Sequence, residues 1–253
     1  MKRIRPMQAT LSTEIPTGPR WVFEEKYDGI RALAYRTKRR VRLWSRNELD
    51  LTAGFPDIAS AVAALPGGDL VLDGELVIFD QKGVSRFQLL QRRGAGGRSE
   101  YAVFDLLERD GASLLERPLK ERRGALEAVL GDRSVLRLSR RLGKNGPRAY
   151  ETARQKQWEG VIAKDETSLY EPGVRSRSMR SLFAGPWSCS FSPRRSSVSF
   201  VLCVGGRPSW LWGVFLSFMP EKRRKCRALM PWHGPCACSD HERQAKDREL
   251  RKA

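Results

Sequence analysis

Glu24-Glu25-Lys26-Tyr27-Asp28-Gly29-Ile30-Arg31 sets one lysine between paired carboxylates and an Asp-Gly step, with an arginine five residues after it. Residues 21–25 and 31–35 on either side are short runs rich in Val, Leu, Ala and aromatics, so the octet reads as strand, turn, strand. Lysine is suited to covalent work because its pKa falls readily when cationic groups or metal ions crowd it. Taken alone, the octet also fits a surface lysine ahead of a hairpin turn. The residues C-terminal to it decide between the two.

Further strands are predicted over residues 41–45, 70–79, 101–107 and 160–164, each with Val, Ile, Leu or aromatics. Residues 56–65, 119–130 and 147–158 have helical spacing, and Pro56 and Pro147 open two of them at the first turn. Strands and helices interleave without the regular period of a parallel sheet. This pattern implies an α+β class with antiparallel sheets.

Two of these segments carry carboxylates, Glu75 and Glu159, that could hold Mg²⁺ by hard oxygen ligation and so neutralise charge on a reacting phosphate. Singly, each residue is ordinary. A strand glutamate is usually solvated, Phe104 in a strand usually packs in a core, and Arg31 and Arg46 are two arginines among many. Meaning lies in their joint order.

That order resembles the nucleotidyltransferase core of ATP-dependent DNA ligases, over about residues 6–178, and especially the ligase modules of bacterial end-joining proteins and stand-alone bacterial ligases. The octet is similar to the nucleotidyl-acceptor motif. The resemblance implies that Lys26 becomes AMP-linked, that Glu24 helps recognise the base, that Arg31 crowds the lysine and binds nucleotide, and that Gly29 lets the backbone approach it. Ser45-Arg46-Asn47-Glu48-Leu49-Asp50-Leu51-Thr52, followed by Phe55-Pro56, resembles the next segment, in which Arg46 would bind ribose or phosphate. Leu72-Asp73-Gly74-Glu75-Leu76-Val77 is similar to the third motif, implying that Glu75 contacts ribose and helps hold metal. Tyr101-Ala102-Val103-Phe104-Asp105 resembles the aromatic motif, in which Phe104 would stack on adenine. Glu159-Gly160-Val161-Ile162-Ala163-Lys164 looks like the fourth, with Glu159 at the metal and Lys164 in the nucleotide site. Residues 87–92 look like a family helix, from whose end Arg92 and Arg93 could meet DNA phosphates.

The resemblance implies an ATP-grasp-like nucleotidyltransferase domain of antiparallel sheets flanked by helices, with ATP and Mg²⁺ (or Mn²⁺) as cofactors. It implies nicked or broken duplex DNA as partner, with end-joining or repair proteins alongside. Only residues 1–23 precede the first motif, too few for an N-terminal DNA-clamping domain. RNA ligases and capping guanylyltransferases share the Lys-x-Asp-Gly core, but Ser45-Arg46-Asn47 and Phe55-Pro56 favour the DNA ligase branch.

The pattern then breaks. Tyr170-Glu171-Pro172-Gly173-Val174-Arg175-Ser176-Arg177-Ser178 leads into the fifth motif, with Arg175 in place for a phosphate contact. The family would continue with Trp, an apolar residue, Lys, another residue and Lys. Here Met179-Arg180-Ser181-Leu182-Phe183 puts Ser181 and Phe183 at the lysine positions. Positive charge at the α-phosphate stabilises charge that develops in the transition state, so the loss predicts impaired adenylation and transfer.

Residues 179–253 read as an irregular tail in place of the family's OB-fold domain, with no sustained period of two or 3.6. All five cysteines, both histidines and four of the seven tryptophans lie there. A shifted reading frame past codon 178 and a divergent C-terminal domain both fit; the coding DNA read in its other frames separates them. His233, Cys236, Cys238 and His241 lack a second well-spaced pair for zinc, and the odd cysteine number gives no disulfide framework. Glu221-Lys222-Arg223-Arg224-Lys225 reads as a solvated charge cluster.

The net charge of +18 points to a polyanionic partner, nucleic acid before membrane. Residues 1–178 carry 33 basic and 24 acidic side chains and residues 179–253 carry 14 and 5, so the tail is the more basic part per residue. A non-catalytic DNA-binding remnant would satisfy the charge alone, and would show salt-sensitive binding without preference for a nick. No apolar run follows the charged N-terminus, and Gly205-Gly206-Arg207-Pro208 interrupts the most apolar stretch, residues 198–219. Neither a secretory signal nor a membrane span is expected, and the protein reads as cytoplasmic and nucleoid-associated.

Overall fold

Paired β-strands frame the described part of the protein. The computed structural model describes residues 3–184, apart from 39, 92–96 and 132–134. In chain order the elements are β1 (Gln8–Leu11), β2 (Trp21–Lys26), β3 (Ile30–Thr37), β4 (Arg40–Ser45), α1 (Pro56–Ala63), β5 (Leu70–Ile78), α2 (Phe87–Gln91), β6 (Ser99–Arg109), β7 (Ala112–Ser113), α3 (Leu119–Leu130), β8 (Leu136–Leu138), β9 (Arg141–Gly143), α4 (Gly146–Gln155), β10 (Gly160–Asp165) and β11 (Arg175–Phe183). Arg92, Arg93, the 198–219 stretch, the 221–225 cluster and the His/Cys group at 233–241 lie outside the described residues. Among those described, no helix is long and apolar enough to cross a membrane.

The strands form two sheets, ordered β1-β11-β10-β2-β9 and β4-β3-β5-β6-β7, with β8 added beside β6. Pairing is antiparallel except for β1 with β11 and β6 with β8. One face of the six-stranded sheet (Ala32, Ala34, Leu72, Leu76) buries itself with Ile58 and Val62 of α1 and Leu126 and Val129 of α3. One face of the five-stranded sheet (Phe23, Val161, Ala163, Leu182) packs on Ala149 and Ala153 of α4. Burying these apolar faces under helices is what leaves the two remaining faces free to carry polar groups.

Local chemistry sets the boundaries. Pro56 and Pro147 open α1 and α4, and the Asn145 side chain caps α4 by accepting from the Arg148 N–H at 3.0 Å. Gly131 ends α3 with φ of 58°. β11 is not expected from its sequence, which is mostly Ser and Arg. It runs unbroken past residue 178 to Phe183 because β10 pairs along one edge and β1 along the other. Two motif glycines are fixed by packing. A Cβ on Gly29 would strike the Leu76 carbonyl of β5, and one on Gly160 the Leu182 carbonyl of β11. The bare backbone of Gly29 thus permits close packing on β5.

Two of the ionisable side chains buried in this frame, Arg36 and Glu25, bear directly on its stability. Arg36 is 2% exposed and donates to the carbonyls of Leu65, Pro66, Gly67 and Gly68, holding the turn after α1 against β3. Arg36→Met keeps the volume but strands those acceptors. We expect a loss on the order of 3 kcal/mol in urea-unfolding stability, and an unchanged midpoint would contradict this role.

Glu25, on β2, has its Oε2 3.6 Å from Arg140, and its Oε1 has no hydrogen-bond partner among the described residues. Burial pushes its carboxyl up from 4.5 to about 7, against the pull of Arg140. Folding therefore takes up a proton in that window, so the native state loses stability as pH rises from 4.5 through about 7. Glu25→Gln removes this contribution, and its urea midpoint should gain on the wild type across that rise. A difference independent of pH would contradict the assignment.

Candidate active site

Because Phe23 faces α4, period two sends Glu24 and Lys26 of β2 to the opposite face. Six of the residues expected from sequence, Glu24, Lys26, Arg31, Glu75, Phe104 and Lys164, line one cleft of about 590 Å³ that opens to solvent, with Ile162 and Met179 beside them. β2, β10 and β11 form one wall, and β3, β5 and β6 the other.

Glu24 is a buried electrostatic hub. Its Oε2 accepts from Lys164 Nζ at 2.7 Å and Ser139 Oγ at 3.0 Å, and its Oε1 lies 3.4 Å from Arg141 Nε and 3.7 Å from Arg123 Nη1. Burial alone would raise this carboxyl. The charges of Lys164, Arg123 and Arg141 outweigh it and hold the group below its ordinary 4.5. Lys164 is thereby fixed with its Nζ 4.6 Å from the centre of the Phe104 ring, and Arg31 Cζ lies 5.2 Å from the same ring.

Lys26 forms an ion pair with Glu159, and its Nζ lies 4.6 Å from the Phe183 ring. Phe183 is one of the two residues that stand at the fifth motif's lysine positions. The other, Ser181, is buried, and its Oγ has no hydrogen-bond partner among the described residues. Glu75 stands opposite on β5. Burial pushes its carboxyl up to about 8 against the pull of Arg31 and Lys26, with Glu159 and Asp73 adding to the rise. Burial also raises Glu159, against the pull of Lys26.

Carboxylates held up by desolvation and mutual repulsion are ones that a cation would stabilise in their charged form. The donor set is hard oxygen, which suits Mg²⁺. Among the described residues no cluster of three or more His, Cys, Asp or Glu could hold a metal by itself. Two carboxylates completed by substrate phosphates is the usual Mg²⁺ arrangement, so the pair fits such an ion.

Two expected residues are not brought to this cleft. Arg46 is exposed in the turn after β4. Arg175 is exposed at the β1 edge, where it donates to the Ala9 carbonyl at 2.7 Å and to Gln8 Oε1 at 2.9 Å. Asp73, a member of the third motif to which sequence alone gives no role, accepts both Nε and Nη2 of Arg31 at 3.0 and 2.6 Å. A signal for it exists in sequence: it lies two residues before Glu75 on a strand, and so on the same face. Arg123, Arg141 and Ser139 around Glu24 have no such signal, since only the fold brings them together.

Residues 5–180 match the family described as "ATP dependent DNA ligase domain". The chain is 36% identical over 208 residues to the multifunctional non-homologous end joining DNA repair protein LigD of Mycobacterium tuberculosis, covering 79% of this chain and 27% of that protein. It therefore spans about a quarter of that relative's length. A solved structure of mycobacterial DNA ligase D complexed with ATP and MES aligns with a TM-score of 0.64 at 37% identity, covering 71% of this chain and 60% of that one. The ligase domain of M. tuberculosis LigD aligns at 0.63 and 38%, covering 70% and 60%. The family match ends within two residues of the point where the fifth motif breaks. On the strength of that match, which takes in the Lys26 cleft and both its walls, the chain belongs to the ATP-dependent DNA ligase domain family.

Proposed function

We propose that this chain is the ATP-using, lysyl-AMP-forming module of a DNA ligase that serves end-joining repair. One observation carries the reading: Lys26, Arg31, Glu75, Phe104 and Lys164, drawn from five strands of two sheets, meet in a single cleft in a chain of this family. The solved relative complexed with ATP supports ATP as the nucleotide.

Phe104 would stack on adenine, with Arg31 and Lys164 placing positive charge along the same side of the cleft. Lys26 Nζ would attack the α-phosphorus of ATP; an N–P bond forms and the bond to pyrophosphate breaks. Glu159, already paired with Lys26, holds the amine and is within reach of its proton. The adenylate would then pass to a 5′-phosphate at a nick, and the 3′-hydroxyl would displace AMP to seal the strand. Glu75 and Glu159 would hold a divalent ion, which when bound neutralises charge on the phosphates. The protein's own part is to position and to exclude water. Work on duplex DNA agrees with the +18 charge and would place the protein with the nucleoid in the cytoplasm.

β11 sets the level of activity. Ser181 and Phe183 bring no cation to the cleft, and Phe183 instead packs against Lys26. We expect α-labelled ATP with Mg²⁺ to label the full chain weakly and Lys26→Ala not at all, with unlabelled ATP competing better than GTP. Equal labelling of the two proteins would remove Lys26 from the mechanism, and better competition by GTP would point to the capping branch. The double variant Ser181→Lys with Phe183→Lys should raise labelling by at least about tenfold, since each donor to a developing oxyanion is worth that much or more. No increase would show that the lost lysines have substitutes or that β11 does not meet the phosphate.

A further inference from the structure

We infer that Tyr170 is a positioning residue for Arg31, acting through Asp73 and itself held by the segment ahead of β1. The inference rests on the proposed nucleotide site, because Arg31 is the group that faces it. Tyr170 belongs to the lead-in of the fifth motif, and nothing in the adenylation chemistry above uses it.

The contacts run in one direction. The Met7 N–H donates to Tyr170 Oη at 3.0 Å, which fills an acceptor position on the hydroxyl. The hydroxyl's one proton is donated to Asp73 Oδ2 at 2.7 Å. Asp73 in turn accepts from Arg31 at both of its oxygens, so the carboxylate holds the guanidinium through two parallel bonds. Tyr170 is 5% exposed and Asp73 fully buried, so the bond between them lies out of bulk water. Burial, reinforced by the charge of Asp73, keeps the Tyr170 hydroxyl protonated and therefore a donor. Arg122 Cζ lies 5.7 Å from the Tyr170 ring centre.

The geometry does what Asp73 and Arg31 could not do alone. A carboxylate that grips an arginine through both oxygens can still swing about its own side-chain bond. A third donor at Oδ2, from a different part of the chain, fixes that angle and with it the place of Arg31 in the cleft. Positional errors of about 1 Å in such a group can cost on the order of a hundredfold in rate. The Met7 contact makes the setting depend on the docking of the N-terminal segment, where Gly173 N–H to the Arg5 carbonyl at 2.9 Å is a further tie.

The test is Tyr170→Phe in the full chain, which keeps the ring and removes one donor. In protein carrying ¹⁵N-labelled arginine, the Arg31 Nε–H signal, assigned with Arg31→Lys, should shift in Tyr170→Phe while the dispersed signals of the fold remain. An unmoved Arg31 signal would overturn the inference whether or not the protein uses ATP. Protein–AMP formation should slow by about ten- to a hundredfold in Tyr170→Phe. In an Arg31→Ala background the same change should cost nothing more, whereas a merely structural role would slow both backgrounds alike and so overturn the inference. If the Arg31 signal moves but no protein forms an adduct, the positioning role stands and the adenylation reading falls.

Discussion

A single buried carboxylate organises this molecule. Glu24 is removed from water, and such a charge is tolerated only when paired and hydrogen-bonded. It meets Lys164 from β10, Arg123 from α3, Arg141 from β9 and Ser139 just ahead of β9. Four parts of the chain must reach the same atoms, and Lys26 lies two residues further along the same strand face. Removing one partner of a buried charge typically costs about 3–5 kcal/mol, which is a large part of a domain's stability. The register that places Lys26 is therefore secured by a buried charge cluster, in which Glu24's carboxylate is occupied by the protein's own cations.

The cleft divides its polar tasks between two walls. The five-stranded sheet contributes Lys26, with Glu159 just ahead of β10 and Lys164 within it. The six-stranded sheet contributes Arg31, Asp73, Glu75 and Phe104. Each wall can carry charge on one face because its other face is sealed by helices. At the end of β11 the chain departs from its family: an aromatic ring rests against the lysine, and a buried hydroxyl has no partner among the described residues. Those two residues are where the proposed function expects the site to lose positive charge.

Much of this is legible in the residues. Strands rich in Val, Leu and aromatics, such as 21–25 and 31–35, form where expected, because burial on at least one face selects those side chains. The order of carboxylates, aromatic and lysines identifies the cleft, since widely separated strands must converge for that chemistry. β11 is not legible: Ser and Arg carry no strand signal, and two neighbouring strands impose its conformation. Arg46 and Arg175 are expected in the site from their motifs but lie exposed away from the lining, because a motif gives order along the chain and not the direction of a long side chain. The Asp-Gly step gives no hint in sequence that Gly29 also packs closely on β5. Tyr170 and Asp73 belong to motifs that assign them no role, and only their mutual hydrogen bond reveals one.

The proposed function depends above all on capture of adenylate by the amine of Lys26. Peptide mass mapping of the full chain after exposure to ATP and Mg²⁺ tests it directly. We predict an acid-labile AMP adduct on the peptide containing Lys26 and on no other. An adduct at a different lysine would contradict this, as would none on protein carrying lysine at both 181 and 183.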